Sequence, residues 1–264
     1  MARRLGKLEA AALAYSQLRG LTTISTGELV GPLQITIKQE RELLGRMCRS
    51  GIIAKVRRGL YLFPTRLPLG GVWTPDEALA INVLMNDKNA LYQITGPSAF
   101  LHYGYEEQIP LHVTLYNNAI SGTRRVGTIS LVLIKVSPAR LGDTEEIKTL
   151  SGQTLVYSSR VRTLIDAVYD WSRFDSLPHA YKWIRRDLEA GRINMDELIE
   201  SALRYGNTST IRRLGALLEQ MRVEECILKR LQRAIAPTTA KIPFVPGRPT
   251  RGNLMKRWGI VVNV

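Results

Sequence analysis

The sequence predicts an α+β protein with three parts. These are an N-terminal winged helix-turn-helix, a central α/β module with an antiparallel β portion, and a C-terminal helical region. Three observations carry that expectation. The first 70 residues hold three helix-like segments followed by a basic-tipped hairpin. Residues 111–136 contain strand-like apolar runs broken by glycine, and beyond residue 158 the apolar spacing is helical almost to residue 235. The charge divides along the same lines. Of the formal +14 on 264 residues, residues 1–70 hold +8, residues 71–150 hold −2 and residues 151–264 hold +8. Two basic ends around a near-neutral middle suit a nucleic-acid contact at one end and a separate role at the other.

Within residues 1–68, Leu5, Leu8, Ala12, Tyr15 and Leu18 recur at helical spacing, and Gly20 closes that helix. In the next segment Ser25 or Thr26 is expected to cap a short helix that includes Leu29 and ends at Gly31-Pro32. A third helix begins near Thr36, turns Leu43, Leu44 and Met47 inward, and stops at Gly51. Residues 52–56 and 60–64 read as two strands joined at Arg57-Arg58-Gly59.

Such a third helix enters the major groove by its leading end, here Thr36, Lys38, Gln39 and Arg41 or Glu42. Gln39 has the donor and acceptor that adenine requires, and Lys38 or Arg41 can reach guanine or phosphate. Arg46 and Arg49 lie further along and suit the backbone, as do Lys55, Arg57 and Arg58 in the hairpin.

The central part, residues 69–157, opens on Thr74-Pro75-Asp76-Glu77, a helix start with Thr74 as the expected cap. Gly96-Pro97-Ser98 starts a second helix, with His102, Tyr103 and Tyr105 expected to complete a core edge. Strands follow at 111–117, around 123–127 and at 128–136.

Little in the chain suggests catalysis. His102, His112 and His179 lack metal-ligand spacing, Cys48 and Cys226 are far apart, and no phosphate-binding glycine motif occurs, so neither metal nor cofactor is expected. The best enzymatic lead is the triplet Glu146-Ile147-Lys148, of the kind restriction-type nucleases use around a divalent metal. It follows Leu141-Gly142, which reads as a loop, and no Asp stands between 88 and 142. No stretch is long and apolar enough to span a membrane, and a cytoplasmic location is expected.

The C-terminal region, 158–235, has helical patterns at about 160–171, 176–190, 195–205, 209–220 and 223–234. In the first, Arg162 and Asp166 are expected to bridge one turn apart, with Ser158 or Ser159 as cap. In the fourth, Arg212 and Arg213 are expected to point away from an apolar stripe of Ile211, Leu214, Leu217 and Leu218. Residues 236–264 form a basic, proline-broken tail carrying Lys241, Arg248, Arg251, Lys256 and Arg257. Its last residues, WGIVVNV, suit an edge strand docked on the central module.

Three of these segments carry a resemblance. GIIAKVRRGLYLFP at 51–64, ITGPSAFLHYGYEEQIPLHVTLYN at 94–117 and GNTSTIRRLGALLE at 206–219 occur in the order found in AbiEi-type antitoxins. These are the transcriptional regulators of abortive-infection, type IV toxin–antitoxin systems. The segment SSRVRTLIDAVYD also resembles that family's Arg-Thr-Leu-x-Asp element, with Val161 where an acidic residue often stands. The similarity runs over roughly residues 5–235. It implies a winged helix that represses its own promoter by binding inverted repeats, as a monomer or weak dimer. It also implies a region beyond residue 70 that counteracts a nucleotidyltransferase-like toxin. The partner surface then falls on Arg212, Arg213, Lys241, Arg248, Arg251, Lys256 and Arg257. The alternatives are a regulator with a sensory C-terminal domain and no toxin partner, and, more remotely, a metal-dependent nuclease.

Overall fold

The computed structural model describes residues 5–66 and 72–263. It opens with α1 (Lys7–Leu18), β1 (Thr23–Ser25), α2 (Val30–Leu33), α3 (Ile37–Arg49), β2 (Ala54–Arg57) and β3 (Leu60–Leu62). The three strands pair antiparallel in the order β1-β3-β2, the arrangement of a winged helix. Leu43, Leu44 and Met47 of α3 bury against Ala12, Leu13, Ile24, Leu29 and Phe63. The sequence reading missed β1, because a three-residue strand carries too little alternation to stand out. Burial of Ile24 between α1 and α3, and pairing of Thr23–Ser25 with Leu60–Leu62, hold it extended. Gly31 and Pro32 also lie inside α2 rather than ending it. A proline in the first turn forfeits no helical hydrogen bond, since that N–H has no partner there.

The central part continues with α4 (Glu77–Asp87), β4 (Tyr92–Ile94), α5 (Pro97–His102), β5 (Val113–Asn117), β6 (Gly122–Val126) and β7 (Ile129–Lys135). A 3-10 turn at Pro138–Arg140, then β8 (Thr144–Lys148) and β9 (Thr154–Ser158), complete it. The six strands lie in the order β6-β7-β5-β4-β9-β8. The sheet is mixed: β5–β7 and β4–β9 are parallel, and the other ladders antiparallel. The cap of α4 is Asp76, not Thr74; its carboxylate accepts from the Leu79 N–H at 3.1 Å. Nor is Glu146-Ile147-Lys148 in a loop, because β8 pairs along its length with β9, Ile147 opposite Leu155. Backbone pairing makes this strand, and its polar side chains conceal it.

The wing and the central module share a core. Ala54, Val56, Leu60 and Leu62 pack with Ile81, Leu84 and Met85 of α4 and with Leu115, Leu131 and Leu133 of the sheet. The expected boundary at 68/69 falls within residues 67–71, outside the described residues.

The helical part contains α6 (Arg160–Tyr169), α7 (Trp171–Phe174), α8 (His179–Glu189), α9 (Met195–Tyr205), α10 (Thr208–Gln220) and α11 (Glu225–Arg233). The expected Arg162–Asp166 bridge is present at 3.0 Å and fully buried, and Ser159 caps α6. Asp166 also accepts from Arg140 at 2.5 Å and from Thr95 at 3.2 Å, which ties the helices to the sheet. Arg162 donates its remaining N–H groups to the Gly142 and Arg140 carbonyls.

The tail is folded. β10 (Ile242–Pro243), β11 (Asn253–Met255) and β12 (Ile260–Val262) make a separate small sheet ordered β10-β12-β11. The final strand therefore does not dock on the central sheet as expected. Its place is set by Trp258, whose ring occupies the space a side chain at Gly215 of α10 would need, and whose indole N–H donates to Glu219.

Candidate nucleic-acid interface

The reading face of α3 follows from its phase. At 100° per residue, Lys38, Arg41, Glu42, Gly45 and Arg49 fall on one stripe, and Glu40, Leu43, Leu44 and Met47 fall opposite. The inward set is fully buried, while Lys38, Gln39, Arg41, Glu42, Arg46 and Arg49 are exposed. Among the described residues, none of Lys38, Arg41, Arg46 and Arg49 is ion-paired. Sequence periodicity thus placed Leu43, Leu44 and Met47 on the inward face of α3.

It missed the group that aims the helix. The Glu40 carboxylate is buried and accepts from the N–H groups of Gly27 (2.6 Å) and Leu29 (2.9 Å), pinning α3 to the β1–α2 turn. The available signal was a carboxylate at an inward position between Leu43, Leu44 and Met47.

Two expected base-reading groups are occupied. Thr36 caps α3, its hydroxyl oxygen accepting from the Gln39 N–H at 3.2 Å. Gln39 Oε1 in turn accepts from the Thr36 N–H (2.8 Å) and hydroxyl (3.1 Å). A bidentate contact with adenine needs that same oxygen, so Gln39 reads adenine only by giving up the cap.

The wing needs a similar correction. Arg57 Nε donates to both oxygens of Asp87 at the end of α4, at 2.7 and 2.8 Å, and Nη2 to Oδ1 at 2.5 Å. Arg57 straps the wing to the central module, and the pairing with Arg57, then Lys88, holds Asp87 down at about 2. Among the described residues, the wing cations without an ion-pair partner are Arg58 and Lys55. Near the wing, α3 carries Cys48, whose thiol burial pushes up to about 11 despite Lys55 and Arg49. It stays protonated at neutral pH, the wrong form for a nucleophile or metal ligand.

Elsewhere the chemistry is structural. His102 stacks on Tyr157 at 4.4 Å, and burial lowers its pKa. Tyr103 donates to the Ser158 carbonyl at 2.8 Å and Tyr105 to Asp187 at 2.6 Å, so both complete a core edge as expected. Glu146 and Lys148 are exposed on the outer strand β8, and Asp143 is taken up by Ser159 and Ser201. Among the described residues, no three His, Cys, Asp or Glu side chains gather as a metal site.

The expected partner surface divides sharply. Arg212 and Arg213 do not point outward; both are buried. Arg212 donates to the carbonyls of Trp258 (2.5 Å), Ala240 (2.5 Å) and Gly259 (2.6 Å), clamping the tail to α10. The Trp258 carbonyl has no other donor among the described residues, and the Gly259 carbonyl also accepts from the Ile242 N–H at 3.0 Å, so Arg212 completes the junction of tail and helix. Arg213 lies over the Trp171 ring, 5.7 Å from its centroid. Arg257 pairs with Glu225 at 2.8 Å. Lys241, Arg248, Arg251 and Lys256 are exposed. Arg248 lines a groove of about 520 Å³ with Lys182, Arg185, Tyr181, Leu217 and Phe244 among its walls.

This architecture has a solved counterpart. The chain matches the crystal structure of the RV2827C protein from Mycobacterium tuberculosis with a TM-score of 0.59. The match covers 98% of this chain and 92% of that one at 15% identity, so what the two share is the fold. No protein-family model and no curated protein matches the chain. Among the described residues, no helix is long and apolar enough to cross a membrane.

Proposed function

We propose that the chain is a winged-helix transcriptional regulator. In this reading α3 lies in the major groove and Arg58 and Lys55 hold the adjoining backbone. The observation that carries it is the solvent-facing stripe of Lys38, Arg41 and Arg49, unpaired among the described residues and set on a helix whose opposite face is fully buried. The stripe also carries Glu42, ion-paired with none of these cations among the described residues, and its net positive charge suits a polyanion of matching spacing. Lys38 and Arg41 sit in the first turns, where such helices read base edges. The test is a reporter driven by the promoter of the chain's own gene. Lys38→Ala/Arg41→Ala abolishes repression while the protein remains folded by circular dichroism; undiminished repression by that variant overturns the reading.

A finer reading makes the same protein the antitoxin of a nucleotidyltransferase-like toxin. It is supported by the three AbiEi-like segments and by the exposed cations Lys182, Arg185 and Arg248 around the groove. The promoter would then carry inverted repeats, and antitoxicity would belong to the part beyond residue 70. Deleting the winged helix is a poor test, since the wing supplies part of the central core. Point variants separate the roles. With the adjacent toxin co-expressed, Lys38→Ala/Arg41→Ala still restores growth, and Arg185→Ala/Arg248→Ala does not. Equal rescue by both variants removes the groove from the account, and absence of any adjacent toxin gene leaves the plain regulator.

A further inference from the structure

We propose that β6, the outer strand of the central sheet, is a second contact for the DNA backbone, working through Arg124 and Arg125. This rests on the DNA-binding reading of α3 and extends the footprint beyond the winged helix.

β6 ends the order β6-β7-β5-β4-β9-β8, and residues 122–125 are exposed. Outer strands commonly carry a charge that blocks pairing with another chain, and a single lysine or arginine suffices for that. Blocking does not account for where these arginines stand. Arg125 and Gly127 share a cleft with Cys48 of α3 and with Ile53, Ala54, Lys55 and Val56 of the wing. No acidic residue lines it. The turn at Gly127 lies against Ala54 and Pro75, close enough that a Cβ there would come within 3.1 Å of each, which fixes β6 relative to the wing. Lys55 of β2 and Arg125 of β6 thus face the same cleft. Arg124 and Arg125 donate only to the Thr123 and Gly127 carbonyls among the described residues. Two elements that bring cations to one cleft whose described lining holds no carboxylate store mutual repulsion, and a phosphate relieves it. Adjacent strand residues leave on opposite faces, about 3.3 Å apart along the strand, so each arginine serves one phosphate, Arg125 from the cleft and Arg124 from the exposed edge.

The experiment compares the full-length protein with Arg124→Ala/Arg125→Ala and Arg124→Lys/Arg125→Lys on one duplex of about 30 base pairs, selected from a random pool by the wild type. Binding is followed by fluorescence anisotropy over a range of salt. Two lost phosphate contacts reduce the log–log salt slope by roughly 1.8, with base preference unchanged, and the lysine variant restores most of the slope. An unchanged slope in the alanine variant overturns the inference. So does a lysine variant as defective as the alanine one. A wild type that binds no duplex in low salt defeats the underlying DNA reading instead, and Lys38→Ala/Arg41→Ala on the same duplex distinguishes the two failures.

Discussion

On α3, the residue that fixes the helix in place is one that never meets solvent. Glu40 satisfies two backbone N–H groups of the turn before α2, so Glu40→Ala leaves the buried Leu29 N–H unmade at about 1–3 kcal/mol and hands the Gly27 N–H to solvent. We expect a clear fall in the denaturation midpoint and a loss of DNA affinity out of proportion to the removed charge. Wild-type stability in that variant would remove Glu40 from its anchoring role. The neighbouring pair Arg212 and Arg213 gives a second contrast. Arg212→Met leaves the Trp258 carbonyl without a donor among the described residues, while the Gly259 carbonyl keeps the Ile242 N–H, and costs about 1–3 kcal/mol, measured by chemical denaturation. Arg213 has a buried Nε without a partner among the described residues, and burial lowers its pKa. A desolvated, poorly paired cation contributes little, so Arg213→Met is neutral or stabilising. Equal losses at both positions would contradict this difference. From sequence the two arginines are indistinguishable, because both sit beside an apolar stripe and only the tail, folding back from more than 25 residues away, selects the one it uses.

In the proposed reading the wing divides its cations, Arg58 and Lys55 for DNA and Arg57 for the protein. Arg58→Ala should reduce the salt slope by about 0.9, whereas Arg57→Ala should leave the slope near wild type, since its guanidinium is committed to Asp87. The reverse pattern would show that the strap opens on DNA. The strap also has a pH signature. Asp87 titrates lower in the folded chain, at about 2, than a free aspartate. Its stabilising contribution is therefore complete above about pH 4 and is lost as the pH falls from there towards 2. Denaturation of wild type and Asp87→Asn should show a gap that is constant between pH 7 and 5 and vanishes near pH 2. A gap that persists at pH 2 would assign the stabilisation elsewhere. Arg57 and Arg58 adjoin in a basic turn, and nothing local separates their roles; Asp87 lies thirty residues on.

For the whole molecule, legibility followed the length of each element. Helices of ten residues or more, and the β5–β7 strands, were readable because several apolar positions repeat at one period. β1, β4, β8 and β9 are short or polar and exist through their neighbours, so the sheet emerged larger and more mixed than its sequence signal. The tail was the largest departure: its prolines and cations read as an open surface. Gly215 and Arg212 instead receive it on α10, an arrangement that depends on contact across the fold. The cationic stripe on α3 was legible in full, since a helix face is fixed by local spacing alone.

The central claim is that this stripe reads DNA. Its most direct test is selection from a random duplex pool by the full-length protein and by Lys38→Ala/Arg41→Ala, followed by sequencing of the bound fraction. The account predicts a defined motif enriched by the wild type and none by the variant; the same motif recovered by both, or by neither, would contradict it.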